Sequence, residues 1–321
     1  MNQNINCYHP SRSPNHRSIE NHPILLSINT KMKASTFLAP LLLTTGVYSW
    51  GPMGHATVAY IAQHYLDGAA RILTSHLLSG SSLPDVSSWA DSYRFTDGGA
   101  FSSVFHYIDA HDQVPHKCNI KMERDCPPEG CIVTAIANYT ERILNDDLTL
   151  AERADALKFV VHFIGDIQQP LHTENLAVGG NEIPVFWGGE SVKTNLHAAW
   201  DRNIPETLAG GSTIATASSF ADSIIQDLET GIYSTLKNEW TSCGSIKRGI
   251  GCPKAWAQDA NKIVCSDVLP NGAEEVQNKD ISGAYYERNK MIARQQIAKG
   301  GYRLGLWLNK IAKAEQLKCR A

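Results

Sequence analysis

The sequence has no strong excess of either charge: 29 Lys and Arg face 32 Asp and Glu, a formal net charge of −3 over 321 residues. Tight, charge-driven binding to duplex nucleic acid is therefore not expected, although an enzyme held to nucleic acid through metal ions remains compatible with this balance. Nor is there any apolar run of the ~18 residues that a membrane span requires, so no membrane partner is expected. No Cys-x-x-Cys pair occurs, which removes the common zinc-thiolate patterns. Residues 50–321 hold no internal repeat, low-complexity tract or linker. With 43% apolar and 19% charged residues, the chain reads as an ordinary globular protein long enough for a substantial core.

Residues 1–49 differ from the rest. Met32-Lys33 precedes an apolar stretch that includes Phe37, Leu38 and Leu41-Leu42-Leu43. It ends Val47-Tyr48-Ser49, with small residues at −3 and −1 of a cut before Trp50. This is the pattern of a secretory signal peptide. The reading is a working start at Met32, an upstream extension over residues 1–31, and a secreted mature domain over residues 50–321. The competing reading is a disordered tail followed by a buried helix.

In a secreted chain the seven cysteines of that domain read as disulfide formers. Cys126 and Cys131 enclose a turn and suit a local bridge; Cys243 and Cys252 suit another. One cysteine is left over, and Cys319 at the tail is the candidate.

The periodicity is helical. Apolar residues recur at three- and four-residue spacing over 58–65, 69–78, 134–144, 151–167, 215–228, 253–264 and 283–314. The segment 177–194, with two Gly-Gly pairs and alternation through Ile183, Val185 and Trp187, reads as a β-hairpin. Residues 97–100 and 127–130 read as loops. The expected fold class is all-α: one mainly helical domain carrying a small hairpin.

The histidines sit in suggestive phrases. His162 and Asp166 are four apart, as are His197 and Asp201, so on a helix each pair shares a face. His172 lies between them, past Pro170. Upstream stand Ser88-Trp89-Ala90-Asp91 and His106-Tyr107-Ile108-Asp109. A lone pair of this kind is usually a solvated ion pair. Two pairs flanking a third histidine, one of them beside the apolar Phe159-Val160-Val161, are harder to dismiss, because an unpartnered buried His and Asp would be costly. Imidazole with carboxylate suits zinc, and six or more such ligands exceed what one tetrahedral ion takes. A multinuclear site is the expectation. Cleavage before Trp50 would expose an α-amine, and with its carbonyl and His55 that end could chelate a further ion; from spacing alone, a plain leader-to-helix junction is favoured there.

Taken together, WGPMGH, SWADSYR, HYIDA, VHFIGDIQQPLH, GGN and NLHAAWD resemble the secreted tri-zinc, single-strand-specific nucleases and 3'-nucleotidases of fungi and plants. The likeness runs through IAKGGYRLGLWLN near the C-terminus. The resemblance implies a helical fold of the zinc phospholipase C type with three Zn2+ ions in a cleft. By motif, Asp91, His106, His162 and Asp166 hold the first ion, and His172, His197 and Asp201 the second. The Trp50 amine and carbonyl, His55 and Asp166 hold the third. It also implies disulfides Cys118–Cys265 and Cys126–Cys131, and a glycan on Asn138 of the Asn-Tyr-Thr sequon.

The implied activity is a hydrolase: hydroxide, formed at zinc, attacks phosphorus in line and leaves 5'-phosphorylated products. Asp91 and Asp166 serve it through the ions, and Arg94 clamps the phosphate. Tyr107, where fungal relatives often have Phe, stacks on an unpaired base, while Asp109 and Asn203 bond the base edge. Single-stranded DNA and RNA and 3'-nucleotides are the implied substrates, and a monomer is expected. Two other readings remain. A zinc phospholipase C would want an apolar acyl surface, and a non-enzymatic metal binder would need no phosphate clamp.

Overall fold

The computed structural model describes residues 50–242, 246 and 249–318. The predicted signal segment, Cys243 and Cys319 lie outside them. Twelve α-helices occur among the described residues. The first four are α1 (Pro52–His64), α2 (Gly68–Leu77), α3 (Leu83–Val86) and α4 (Trp89–Tyr93); α5 (Met122–Asp125), α6 (Ile132–Ile143) and α7 (Leu150–Asp166) follow. After a two-stranded sheet come α8 (Leu196–Ala198), α9 (Ile204–Ala209), α10 (Ile214–Glu229), α11 (Gly251–Ile263) and α12 (Ala284–Lys318).

Local chemistry sets the ends of these helices. Pro52 occupies the first turn of α1, where its missing N–H costs nothing. Thr149 caps α7 and exchanges bonds with Glu152 in a capping box. At its other end α7 stops at Asp166, four residues before Pro170.

Helix α12 is the spine and lies along α1, with α10 packed on α1 as well. The α1–α12 approach is close because α12 presents glycine. A Cβ on Gly301 would stand 2.4 Å from Ile61 Cβ, and one on Gly305 would stand 2.9 Å from the Ala62 carbonyl. Helices α6 and α7 form a second packed pair, and the core runs through Trp50, Ile61, Ile136, Phe163, Trp200 and Trp307, all nearly without solvent contact.

The seven predicted long helices are all present. The hairpin is smaller than expected. β1 (Pro184–Phe186) pairs antiparallel with β2 (Lys193–Asn195), Val185 opposite Thr194. Ile183 and Val185 are buried as the alternation requires. Residues 177–180 do not join it: all four have positive φ and form a tight loop. The predicted loop 97–100 runs into a 3-10 helix, Ala100–His106. His197 and Asp201 do not share one regular α-helix, because α8 passes into a π-helical turn at Ala199–Asn203.

Disulfides join Cys118 to Cys265 and Cys126 to Cys131, with Cα separations of 5.8 and 5.3 Å. Cys252 is disulfide-bonded too; its expected partner, Cys243, lies outside the described residues. Asn138 is exposed on α6.

Candidate metal centre and substrate cleft

Six elements converge on one buried volume. Helix α1 brings His55, α4 brings Asp91, and the end of the 3-10 helix brings His106. The last turn and a half of α7 supplies His162 and Asp166, the Pro170–Thr173 turn supplies His172, and the α8–π segment supplies His197 and Asp201. All eight residues are at most 8% exposed.

They fall into three groups able to hold a cation: His55, His162 and Asp166; Asp91, His106 and His162; and His172, His197 and Asp201. Asp166 is the hub. Its Oδ1 lies 3.1 Å from His55 Nε2, and its Oδ2 lies 3.0 Å from His106 Nδ1 and 3.1 Å from His162 Nε2. Asp91 Oδ1 stands 3.7 Å from His162 Nε2 and 4.0 Å from His106 Nδ1. In the third group, Asp201 approaches His197 Nε2 at 3.3 Å and His172 Nε2 at 3.7 Å.

A donor set of this kind can be tested against a metal ion. Tetrahedral zinc with bonds of ~2.0–2.1 Å puts its ligand atoms ~3.3 Å apart, close to the separations seen here. Imidazole nitrogens and carboxylate oxygens are the ligands a borderline divalent cation takes. The fit is therefore good.

Backbone carbonyls aim three of the rings. His162 Nδ1 donates to the Ser87 carbonyl at 2.7 Å, His172 Nδ1 to the His106 carbonyl at 2.9 Å, and His197 Nδ1 to the Gly179 carbonyl at 2.7 Å. Each bond turns the Nε2 edge toward the carboxylates, the usual outer support of a metal-binding imidazole. The Gly179 carbonyl is reached only through a left-handed turn (φ +59°), where a Cβ would stand 2.7 Å from the Leu171 carbonyl.

Electrostatics follow from burial and from the carboxylates. Burial pushes His55 down and His106 down to about 4. For His162 burial works the same way but is outweighed by Asp166 and Asp91, which hold its pKa up at about 9. Burial opposes ionisation of Asp166, yet His162 and the bonds from three imidazoles hold it well below the carboxylate range.

The N-terminal end of this region is more than a junction. Trp50 is fully buried and its indole donates to the Gly165 carbonyl at 3.0 Å, while the Gly51 N–H donates to the Asp201 carbonyl at 2.9 Å. Those two contacts tie residues 50–51 to both ligand-bearing segments.

A cleft of about 100 Å³ opens beside the third group, and His172 and His197 form part of its wall. Tyr107 and Asp109 line it, and burial raises the pKa of both. Arg94 is buried, with Nη2 3.5 Å from Asp91 Oδ1 and no hydrogen-bond partner on Nε. Asn203 does not line this cleft; it precedes α9 and makes no capping bond. Sequence reasoning missed Val178 and Glu174, which do line it. Val178 is 54% exposed at φ +55°, an uncommon conformation for a β-branched residue. Its signal was the following Gly179-Gly180, read instead as part of a hairpin. A further group, Asp112, Cys118 and Glu174, offers no thiolate, because Cys118 is bonded to Cys265.

A family model described as S1/P1 Nuclease matches residues 50–313. Nuclease S1 of Aspergillus oryzae is 45% identical over 277 residues, covering 85% of this chain and 96% of the relative. Nuclease P1 of Penicillium citrinum is 44% identical over 272 residues, 84% of this chain and 100% of the relative. Endonuclease 2 of Arabidopsis thaliana is 32% identical over 285 residues, 84% and 93% of the two chains.

Proposed function

The chain belongs to the S1/P1 nuclease family, and from that premise we propose that it is a secreted, zinc-dependent endonuclease and 3'-nucleotidase. Its substrates are single-stranded DNA and RNA, cut to 5'-phosphorylated products, and 3'-nucleotides. The observation that carries the reading is the conjunction of three buried His/Asp groups with a cleft walled by two of the same histidines.

In this reading Asp91, His106, His162 and Asp166 hold one zinc ion, and His172, His197 and Asp201 a second. His55 and Asp166 hold a third together with the amine and carbonyl of Trp50, once cleavage has freed that residue. Zinc at these positions supplies Lewis acidity, lowering the pKa of water toward neutrality and offsetting charge on the phosphate oxygens.

The chain's own residues do the rest. Arg94 presents a buried guanidinium to a non-bridging phosphate oxygen, a charge-assisted bond that strengthens as charge builds there. Asp91, 3.5 Å away, keeps that cation in place. Tyr107 stacks on a base, which any base permits and a duplex forbids, because paired bases are not available to a slot of this size. Asp109 accepts a hydrogen bond from the base edge. The polar side chains of Asp109, Glu174, Asn175 and Asn181 on the cleft wall argue against an acyl chain, and so against the phospholipase reading.

Export is supported by the signal pattern, the disulfides and a family match that begins at Trp50. Among the described residues no helix is long and apolar enough to cross a membrane. A glycan on Asn138 and a monomeric state complete the proposal.

The test is to incubate the secreted protein with single-stranded DNA, RNA and phosphatidylcholine, with and without chelator, and to identify product ends. Chelator-sensitive release of 5'-phosphate ends is expected. A protein with bound zinc and Trp50 as its N-terminus that cuts neither nucleic acid would refute the reading.

A further inference from the structure

The phrase Asp166-Ile167-Gln168-Gln169-Pro170 places two glutamines between the hub carboxylate and the turn that carries His172. Both are fully buried, which is costly for a primary amide unless its groups are satisfied. Gln168 faces the core. Its Oε1 accepts from Arg303 of α12, and its carbonyl accepts from Gln296 Nε2 at 2.7 Å. The turn is thus fastened from behind.

Gln169 faces the site. Its Oε1 accepts from the Leu171 N–H at 2.6 Å, and its Nε2 donates to Asp201 Oδ1 at 2.8 Å. The amide cannot be flipped: a backbone N–H can only donate, so the oxygen must face Leu171 and the NH2 must face Asp201. One side chain therefore links the turn bearing His172 to the carboxylate that both His172 and His197 approach. His172 Nε2 stands farther from the same oxygen, at 3.7 Å.

We propose that Gln169 is a positioning residue for the ion held by His172, His197 and Asp201. It fixes the rotation of the Asp201 carboxylate relative to His172, so that ligands from two separate segments meet one cation with the geometry already set. This rests on the metal reading given above. Outer-sphere partners of this kind are worth about 10- to 100-fold in metal affinity.

Two substitutions separate positioning from simple anchoring of the turn. Gln169→Leu removes both bonds. Gln169→Glu keeps an acceptor for Leu171 but replaces the donor to Asp201 with a carboxylate. The holoprotein and both variants are titrated with chelator, and bound zinc per chain is counted at each step, with thermal unfolding recorded in parallel. Both variants should release one ion at a chelator concentration about 10- to 100-fold lower than wild type, with the remaining ions held as in wild type. Wild-type retention by Gln169→Glu would overturn the proposal and leave Gln169 as an anchor of the turn. Loss of all ions together, in step with a lower melting temperature, would overturn it too. If Gln169→Leu does not fold, Gln169→Glu decides alone. A wild-type protein that binds no zinc would instead refute the metal reading on which this rests.

Discussion

Replacing Gly301 with alanine should loosen the fold at the contact that places His55. The added Cβ would sit 2.4 Å from Ile61 Cβ, 2.5 Å from Ile61 Cγ2 and 3.0 Å from the Val58 carbonyl. Ile61 is fully buried, so the clash cannot be relieved by swinging a side chain into solvent; α12 must move off α1. Overpacking of this kind costs ~1–3 kcal/mol. The severity of the clash puts it near the upper end, while the better helix propensity of alanine returns ~1 kcal/mol. A net loss of about 2 kcal/mol is expected from those two terms, or roughly 4–8 °C in melting temperature for a chain of this size. Gly68→Ala is the control. It lies in the first turn of α2 with nothing within 4 Å of the new methyl, so it should be neutral or slightly stabilising. Denaturant unfolding followed by circular dichroism reads both. A Gly301→Ala variant as stable as Gly68→Ala would show that the close α1–α12 approach has no energetic role.

Other outcomes follow from the site. Asp166→Asn keeps the shape of the hub but removes the charge that three imidazoles approach. It should lower zinc content by more than one ion per chain, measured by elemental analysis, and abolish nuclease activity. Tyr107→Ala should raise KM on single-stranded oligonucleotides by about tenfold, the scale of one lost base–aromatic stack, whereas Tyr107→Phe should leave it near wild type. Burial opposes ionisation of Asp259, but Lys299 and Arg303 outweigh it and hold its pKa below the usual value. A lowered carboxylate pKa gives stability that is present above the unfolded-state value near ~4 and is lost as pH falls. Asp259→Asn leaves two nearly buried cations without their counter-charge. It should cost about 2 kcal/mol at pH 7, a low-end figure because Asp259 keeps some solvent contact. The gap to wild type should narrow below pH 4; a gap constant with pH would refute the assignment.

The long helices were legible because each runs for several turns, long enough for a 3.6-residue period to show. The converging His and Asp residues were legible as short phrases, and the group His172, His197 and Asp201 is the one the resemblance implied. Helices α3 and α4 were not. Four or five residues give no period, and the capping box of Ser82 and Asp85 and the Pro84 in the first turn are the local signals for α3. The loop at 177–180 was hidden for the opposite reason. Its glycines and the alternation just beyond it match a hairpin, and only tertiary contact with His197 and Leu171 shows why the backbone turns left-handed there. Gln169 and Glu174 carried no signal of burial. Glutamine and glutamate are surface residues by default, and their inward placement depends on partners that lie close in sequence for one bond and far away for the other.

Gly179 lines the cleft, and its carbonyl at the same time aims His197. Under the proposed function, selectivity for the base and grip on the ion are thereby wired through one residue. Mutational drift that reshapes the 175–181 loop to favour another base would also rotate a ligand. The side chains of Tyr107 and Asp109, which also line the cleft, can be varied without touching the Gly179 peptide. An engineer seeking a new preference should begin with those two side chains and leave residue 179 alone.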